Sequence, residues 1–188
     1  MLAGPSSSGK TTSANRLATQ LRVHGKKPIL MSLDNYYIDR DKLAPGPDGK
    51  LDLEHINTLD TPLFRADIAA LLAGQEVMLP TFNFVAGKRE WDGKKLRLGD
   101  NSVIIVEGIH GLNPQMVPDG VAEHEMFKLY VSPLLPLNLD NHNRIPTTDA
   151  RLLRRIERDA RTRGYGAQAT IKMWPSVRRG EEQNIFPY

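Results

Sequence analysis

The stretch "GPSSSGKTT", residues 4–12, decides how the rest of this sequence is interpreted. It fits the pattern G-x-x-x-x-G-K-[ST], in which glycines let backbone N–H groups turn toward a phosphate and the next helix adds its positive end. In this pattern Lys10 reaches the β- and γ-phosphates and the Thr11 hydroxyl holds Mg²⁺. The stretch therefore predicts a nucleotide-phosphate loop. The residues assigned to the nucleotide are Gly4, Pro5, Ser6, Ser7, Ser8, Gly9, Lys10, Thr11 and Thr12.

The residues after this loop have the pattern of a helix followed by a buried strand. Apolar residues recur at helical spacing from Ala14 to Leu21, and Gly25 ends the pattern. The run "PILMSL", residues 28–33, then predicts a strand. A loop that leads into a helix and then a strand is the context that the phosphate-binding pattern requires, which argues against a chance match.

Two predicted strands end in a carboxylate. "LMSLDNYYIDR" places Asp34 at the end of one strand, and the apolar run "VIIVEG", residues 103–108, predicts a central parallel strand that ends at Glu107. Ligands of open α/β sheets bind at this edge. Asp34 is placed to take a proton from an attacking hydroxyl or to lie near a metal, and Glu107 to order Mg²⁺. The alternatives are a turn cap for Asp34 and a backbone contact for Glu107.

The composition bounds the class of protein. The 188 residues suffice for one α/β domain with a full core, and the net charge of +3 is too mild to favour nucleic acid as a general partner. The absence of cysteine excludes disulfide and thiolate chemistry. No apolar run reaches membrane-spanning length, so we expect a soluble, cytoplasmic protein without a membrane partner.

The middle of the sequence predicts scaffold rather than chemistry. "TPLFRADIAALLAG", residues 61–74, predicts a helix capped by Thr61, and residues 77–99 predict strands around a turn at Trp91-Asp92-Gly93. The other predicted elements are an exposed turn or flap at residues 44–50 and a strand at residues 126–132.

Residues 144–166, "RIPTTDARLLRRIERDARTRGYG", carry the densest charge, and Thr148 or Asp149 can start a helix there. One predicted face of that helix carries Arg151, Arg154, Arg155 and Arg158, and the other carries Leu152, Leu153, Ile156 and Ala160. One interpretation is a solvated basic face that pairs with neighbouring acids. The other is a lid, residues 141–166, whose arginines close over the transferred phosphate, a role that suits the rigid guanidinium.

Four segments, taken in order, resemble the uridine kinase and phosphoribulokinase family of P-loop kinases: "GPSSSGKTT", "SLDNYY", "IIVEGIHGL" and "RRIERDARTRG". The similarity covers nearly all of the sequence. The last residues, "GYGAQATIKMWPSVRRGEEQNIFPY", are similar to a uridine-kinase-like domain found behind threonyl-tRNA-synthetase-like domains in longer bacterial proteins. The resemblance implies an α/β fold with a doubly wound, mostly parallel sheet and an arginine-rich helical lid. It also implies ATP or GTP and Mg²⁺ as cofactors.

Both ends of the sequence favour a piece of a longer chain. A phosphate-binding loop usually follows a buried strand, yet only Met1, Leu2 and Ala3 precede Gly4, and the sequence stops after "IFPY" without a closing element. We therefore expect residues 1–188 to form a single P-loop kinase domain of a longer protein.

The resemblance implies a role for particular residues in phosphoryl transfer. The implied catalytic residues are Lys10, Asp34, Arg158 and Arg163, with Asp34 as the base for a sugar 5′-hydroxyl. The implied metal ligands are Thr11, Asp34 and Glu107.

The resemblance is weaker where the acceptor would bind. Tyr37 would flank a nucleoside, and Glu54 stands where uridine kinases carry an aspartate that binds the ribose, one methylene shorter. The tyrosine and histidine that surround the pyrimidine correspond to Phe82 and Gly87, and a second lid arginine corresponds to Tyr165. The segments for phosphoryl transfer match the family, whereas those for base recognition do not.

We therefore expect a kinase that transfers the γ-phosphate of ATP or GTP to a small-molecule hydroxyl, foremost the 5′-hydroxyl of uridine or cytidine. The alternatives are a phosphoribulokinase-like enzyme for another sugar and a nucleotide-sensing or RNA-associated regulatory module. The sequence leaves open the acceptor, the donor base and whether the protein forms homo-oligomers.

Overall fold

A sheet of four parallel strands forms the centre of the molecule. The computed structural model describes residues 1–45, 51–133 and 137–188. Along the chain the strands of this sheet are β1 (Leu2–Ala3), β2 (Lys27–Ser32), β7 (Ser102–Glu107) and β8 (Leu129–Tyr130), and their spatial order is β2-β7-β1-β8. Ser32 of β2 and Leu2 of β1 both pair with Glu107 of β7. The strands therefore end at one common edge, where the predicted site residues follow them.

Apolar side chains of β7 alternate between two cores, one on each face of the sheet. Ile105 packs with Leu2 and Ala14 against α1 (Lys10–Val23). Val106 packs on the opposite face with Phe64 of α2 (Thr61–Leu72). Burial on both faces explains why residues 103–108 are a continuous apolar run, and the prediction of a central parallel strand is confirmed.

Several element boundaries differ from the predictions. The carboxylate of Asp60 accepts the Leu63 N–H at 3.1 Å, so Asp60 caps α2 and Thr61 is its first helical residue. The strand predicted at residues 126–132 shortens to β8, because only its two residues pair with the two residues of β1. In the predicted flap at residues 44–50, positions 46–50 lie outside the described residues.

The four short strands that follow α2 form two antiparallel pairs. They are β3 (Val77–Met78), β4 (Thr81–Asn83), β5 (Lys88–Glu90) and β6 (Lys95–Leu96), with β4 on β5 and β3 on β6. Strands β4 and β5 form a hairpin whose turn lies at residues 84–87. The Asn83 carboxamide oxygen accepts two backbone N–H groups of this turn, and the Gly87 N–H donates to the Asn83 carbonyl. The predicted turn at residues 91–93 does lie between strands: it joins β5 to β6, and the Asp92 carboxylate accepts the Lys94 N–H at 2.9 Å.

Two helices complete the chain: α3 (Thr147–Arg158), which continues into a π-helical turn (Asp159–Arg163), and α4 (Ala167–Asn184). Helix α3 starts one residue before the earlier of its predicted starts. The prediction of a solvated arginine face was wrong for Arg151 and Arg155, which are 2% and 7% exposed, whereas Leu153 is 68% exposed. In the part of the chain that the structure describes, no helix is both long and apolar enough to span a membrane.

Candidate active site

The loop between β1 and α1 is built to approach an anion closely. A Cβ on Gly4 would lie 2.2 Å from the Val131 carbonyl oxygen, so only glycine fits there. The hydroxyls of Ser7 and Ser8 are buried and have no hydrogen-bond partner among the described residues. Buried polar groups are normally paired. Orphaned hydroxyls in a loop that opens a helix therefore fit a phosphate ligand.

Lys10 lies between this loop and two carboxylates. Its Nζ donates to the Pro5 carbonyl at 3.2 Å. Burial lowers the pKa of Lys10, and the negative charges of Asp34 and Glu107 act in the opposite direction. The Lys10 ammonium group can therefore leave its weak hydrogen bond to the Pro5 carbonyl and bind a phosphate instead.

Glu107 meets Thr11 and Ser32 at the common edge of the sheet. One oxygen of its buried carboxylate accepts the Thr11 hydroxyl at 3.1 Å and the Ser32 hydroxyl at 3.0 Å. Burial, together with the neighbouring Asp34, raises the pKa of Glu107. Both donors are side-chain hydroxyls, so the alternative prediction of a backbone contact does not describe the Glu107 carboxylate.

The oxygen donors Thr11, Asp34 and Glu107 suit a hard cation such as Mg²⁺. Among the described residues, no group of three or more His, Asp or Glu side chains is arranged to hold a metal by itself. Mg²⁺ usually takes one or two carboxylates and completes its shell with phosphate and water. The residues present therefore fit a metal that arrives with a nucleotide.

Asp34 follows β2 in a short 3₁₀ turn (Leu33–Tyr36). The Ser32 hydroxyl accepts the Asp34 N–H at 3.4 Å, so Ser32 caps this turn and the Asp34 carboxylate is left for other contacts. That carboxylate accepts the Arg163 guanidinium at 3.2 Å. Arg163 also lies 4.1 Å above the Phe84 ring centre, and this contact connects the lid to the β4–β5 hairpin.

The arginines of the lid divide into buried and accessible groups. Arg158 pairs with Asp159 at 2.8 Å, and Arg163 pairs with Asp34. Sequence analysis placed Arg154 on the arginine face of the predicted lid but not among the implied catalytic residues; its guanidinium lies 3.5 Å from the place of a Cβ on Gly9 and has no partner among the described residues. Its position four residues before Arg158 was the available signal. A cleft of about 710 Å³ separates the phosphate loop from Arg154 and Arg158.

Four of the five residues predicted to bind the acceptor line one pocket: Tyr37, Glu54, Phe82 and Tyr165; the fifth, Asp34, is not part of its lining. The pocket is next to Asp34, because Arg163 is one of its walls. The rings of Tyr37 and Phe82 are 5.5 Å apart, and the cavity is contracted to about 60 Å³. Ligand pockets usually enclose about 300–1,000 Å³.

Glu54 occupies the buried end of this pocket. Its carboxylate lies 3.4 Å from the guanidinium of Arg155. Burial raises the pKa of Glu54, and the charge of Arg155 opposes that rise. The pair can offer both hydrogen-bond donors and acceptors to hydroxyl groups.

Ser6 is held by charged side chains from α3 and α4. Its N–H donates to the Glu181 carboxylate at 3.2 Å, its carbonyl accepts Arg151 at 3.0 Å, and its hydroxyl accepts Arg155 at 2.8 Å. Glu181 is fully buried and forms two bonds with Arg151. That Ser6 binds nucleotide stays a prediction, since each of its polar groups already has a protein partner. The contacts connect the lid directly to the phosphate loop.

We expect this buried pair to set the shape of the phosphate loop as well as to stabilise the fold. Glu181→Leu alone leaves Arg151 as an unpaired buried charge and should cost about 3–5 kcal/mol in unfolding free energy, whereas Arg151→Met should cost less because Glu181 keeps Arg178 as a partner at 2.6 Å. The double variant removes both charges and should regain most of that stability. Its nucleotide affinity should stay about tenfold lower, because the Ser6 backbone groups lose their partners.

Thermal unfolding and binding of a non-hydrolysable ATP analogue measure the two effects separately. If affinity returns together with stability in the double variant, the pair is structural only.

A phosphate-binding loop at the carboxyl edge of a parallel sheet, with flanking helices and an arginine-rich lid, defines the class of P-loop kinases. Within this class, the chain belongs to the phosphoribulokinase/uridine kinase family, whose model matches residues 1–187. It is therefore a phosphotransferase that acts on a small molecule.

Relatives and solved structures agree with this assignment. The chain is 30% identical to a uridine kinase of Halobacterium salinarum over 99% of this chain and 73% of that protein. It is 29% identical to a uridine kinase of Staphylococcus aureus (strain Newman) over 95% of this chain and 76% of that protein.

Two solved structures, each 19% identical, share the fold. One is from Silicibacter sp. TM1040 and is provisionally described as a fructose transport system kinase, with a TM-score of 0.67 over 96% of this chain and 82% of that chain. The other is described as a possible uridine kinase from Bacillus stearothermophilus, with a TM-score of 0.56 over 95% of this chain and 83% of that chain.

Proposed function

We propose that this kinase transfers the γ-phosphate of ATP or GTP to the 5′-hydroxyl of a nucleoside, with uridine and cytidine as the first candidates. The observation that carries the proposal is the position of Asp34. Its carboxylate lies at the edge of the phosphate site, near Lys10, and bonds to Arg163, which is a wall of the acceptor pocket. The names of the uridine kinases that resemble this chain support a nucleoside acceptor.

Phosphoryl transfer requires alignment and charge stabilisation more than covalent chemistry. Asp34 orients the acceptor hydroxyl and accepts its proton as the new O–P bond forms and the bond from the γ-phosphorus to the β–γ bridging oxygen breaks, which releases ADP or GDP. Lys10, Arg158 and Arg163 neutralise the charge that develops on the transferred group. Asp34 bonds Arg163 through one carboxylate oxygen, so its other oxygen can accept the acceptor hydroxyl.

Thr11, Glu107 and Asp34 are the residues that would hold Mg²⁺. When bound, the ion would neutralise part of the charge on the phosphate oxygens. The hydrogen bond between Thr11 and Glu107 already brings two of these donors together.

The acceptor pocket suits a flat ring attached to a hydroxyl-rich sugar. Tyr37 and Phe82 offer aromatic faces, and the Glu54–Arg155 pair offers charged partners for hydroxyl groups. An RNA-binding module receives less support, because two of the four arginines that would form its basic face are buried.

We expect only a modest preference among nucleoside bases. Phe82 cannot hydrogen-bond a base edge, and apolar pockets discriminate between related ligands by roughly 10- to 200-fold. The measurement is kcat/KM for uridine, cytidine, adenosine, guanosine and their 2′-deoxy forms. Removal of the ribose 2′-hydroxyl should matter at least as much as a change of base, because Glu54 and Arg155 would bind that hydroxyl.

A preference for uridine over purine nucleosides above about a thousandfold would contradict this prediction, because it would require hydrogen-bonded readout of the base. Failure of the parent protein to phosphorylate any nucleoside or sugar in such a panel would contradict the proposed function itself.

A further inference from the structure

Arg40 occupies space that a side chain at position 87 would fill. A Cβ on Gly87 would lie 2.7 Å from Cδ of Arg40 and 3.2 Å from its Nε. Arg40 is half-buried and lines the acceptor pocket. The hairpin turn therefore leaves room for this one long side chain to enter the pocket.

Contacts between the hairpin and residues 39–41 hold Arg40 in that place. The Arg40 N–H donates to the Gly87 carbonyl at 2.9 Å. The Arg89 N–H donates to the Asp39 carboxylate at 2.8 Å, and Lys88 pairs with Asp41 at 3.5 Å. These contacts hold the backbone of Arg40 beside the hairpin turn.

The guanidinium of Arg40 has no hydrogen bond or ion pair within residues 1–45, 51–133 and 137–188. Its acidic neighbours are engaged elsewhere: Asp39 pairs with Lys42 at 2.9 Å, and Asp41 pairs with Lys88. A half-buried guanidinium usually finds a partner, because its five N–H donors lose water on burial.

The other cations of the pocket are already neutralised. Arg155 lies 3.4 Å from Glu54 and 3.3 Å from Asp159, and Arg163 lies 3.2 Å from Asp34. Among the three arginines that line the pocket, Arg40 is therefore the one without an acidic partner in the described residues. Guanidinium groups bind carbonyl, carboxylate and phosphate oxygens in preference to other partners.

We propose that Arg40 is a specificity residue that binds an oxygen-bearing group of the acceptor, distinct from the hydroxyl that is phosphorylated. The proposal rests on the proposed function, because it takes this pocket as the acceptor site. Two sources share the chemistry: a carbonyl oxygen of a neutral base, or the carboxylate or phosphate of an anionic sugar.

The first test replaces Arg40 with methionine, which retains the apolar stem and removes every donor. Acceptors are uridine, cytidine, adenosine, a sugar acid and ribulose 5-phosphate, each assayed for ATP-dependent phosphorylation. For the acceptor that the parent protein prefers, kcat/KM should fall by about 10- to 150-fold, the scale of hydrogen bonds to a charged group. The loss should appear in KM for the acceptor and not in KM for ATP.

Arg40→Gln separates the two sources. Glutamine keeps N–H donors but carries no charge. A neutral carbonyl partner should recover most of the loss with this variant, whereas an anionic partner should not.

A second test moves Arg40 without replacing it. In Gly87→Ala the new Cβ would collide with Arg40, so acceptor KM should rise as it does in Arg40→Met. Gly93→Ala is the matched control, because Gly93 has a φ of +79°, close to the +67° of Gly87, and nothing lies within 4 Å of its added Cβ. Both alanines carry the same backbone strain. In an Arg40→Met background, Gly87→Ala should then cost no more than Gly93→Ala does.

If Arg40→Met phosphorylates every acceptor as efficiently as the parent protein, the inference is overturned and the proposed function stands. If the parent protein phosphorylates no acceptor, the proposed function fails, and the inference fails with it. If Gly87→Ala and Gly93→Ala raise acceptor KM equally, Arg40 does not act through the space beside Gly87.

Discussion

Asp34→Asn is expected to lower turnover about a hundredfold or more, the scale of a positioned general base. Asparagine has the same size and can still accept the hydrogen bond from Arg163, but it cannot take the proton of the acceptor hydroxyl. Nucleotide affinity should change much less, because the predicted phosphate contacts lie in residues 4–12. Steady-state kcat with a saturating acceptor, together with binding of an ATP analogue, measures both effects.

The matched control is Asp119→Asn, an exposed carboxylate that pairs with Arg65. Exposed ion pairs contribute little, so this variant should behave like the parent protein. A decrease of less than about threefold in Asp34→Asn would show that the base lies elsewhere and that Asp34 only orients Arg163.

Lys10→Ala is expected to weaken ATP binding and turnover together, with kcat/KM lower by about 10²–10³, the range found when one donor to a developing charge is removed. The reason is the position of the ammonium group at the phosphate loop, beside Asp34 and Glu107. In the absence of ligand its only hydrogen bond among the described residues is to the Pro5 carbonyl. The fold should therefore survive, and the free energy of unfolding should change little.

Lys26→Ala serves as the control, because Lys26 is exposed beyond the end of α1. Equal ATP affinity and turnover in Lys10→Ala and the parent protein would remove the basis for placing the nucleotide at residues 4–12. Loss of affinity with a matching loss of stability would instead assign Lys10 a structural role.

Local patterns were enough to predict the elements that carry the phosphate site. Helix α1 and strands β2 and β7 lie where their periodicity places them, because each pattern reflects burial against its own neighbours. The turn at Trp91-Asp92-Gly93 was predicted as a link between strands and is one, whereas the turn at residues 84–87, which the Asn83 side chain caps, was not identified from the sequence.

In the candidate acceptor pocket, too, some residues were predicted from the sequence and one was not. Tyr37, Glu54, Phe82 and Tyr165 could be named from their order in the sequence, and they do lie together. Arg40 could not be identified, because its relevance depends on the empty space beside Gly87, far along the chain. The sequence shows that position 87 is glycine, but it does not show that Arg40 occupies the space beside it.

The sequence by itself determined the class of protein, because a phosphate loop requires glycines, a lysine and a hydroxyl at fixed spacing, and these are local constraints. Only the tertiary structure decided which arginines of α3 are available to a ligand. Arg151 and Arg155 turn inward, since Glu181 and Glu54 meet them from distant parts of the chain, while Arg154 stays in the cleft. A charged side chain is buried only where a partner offsets the cost of desolvation. That partner is fixed by the packing of α4 and the phosphate loop against α3, which the helix's own sequence does not specify.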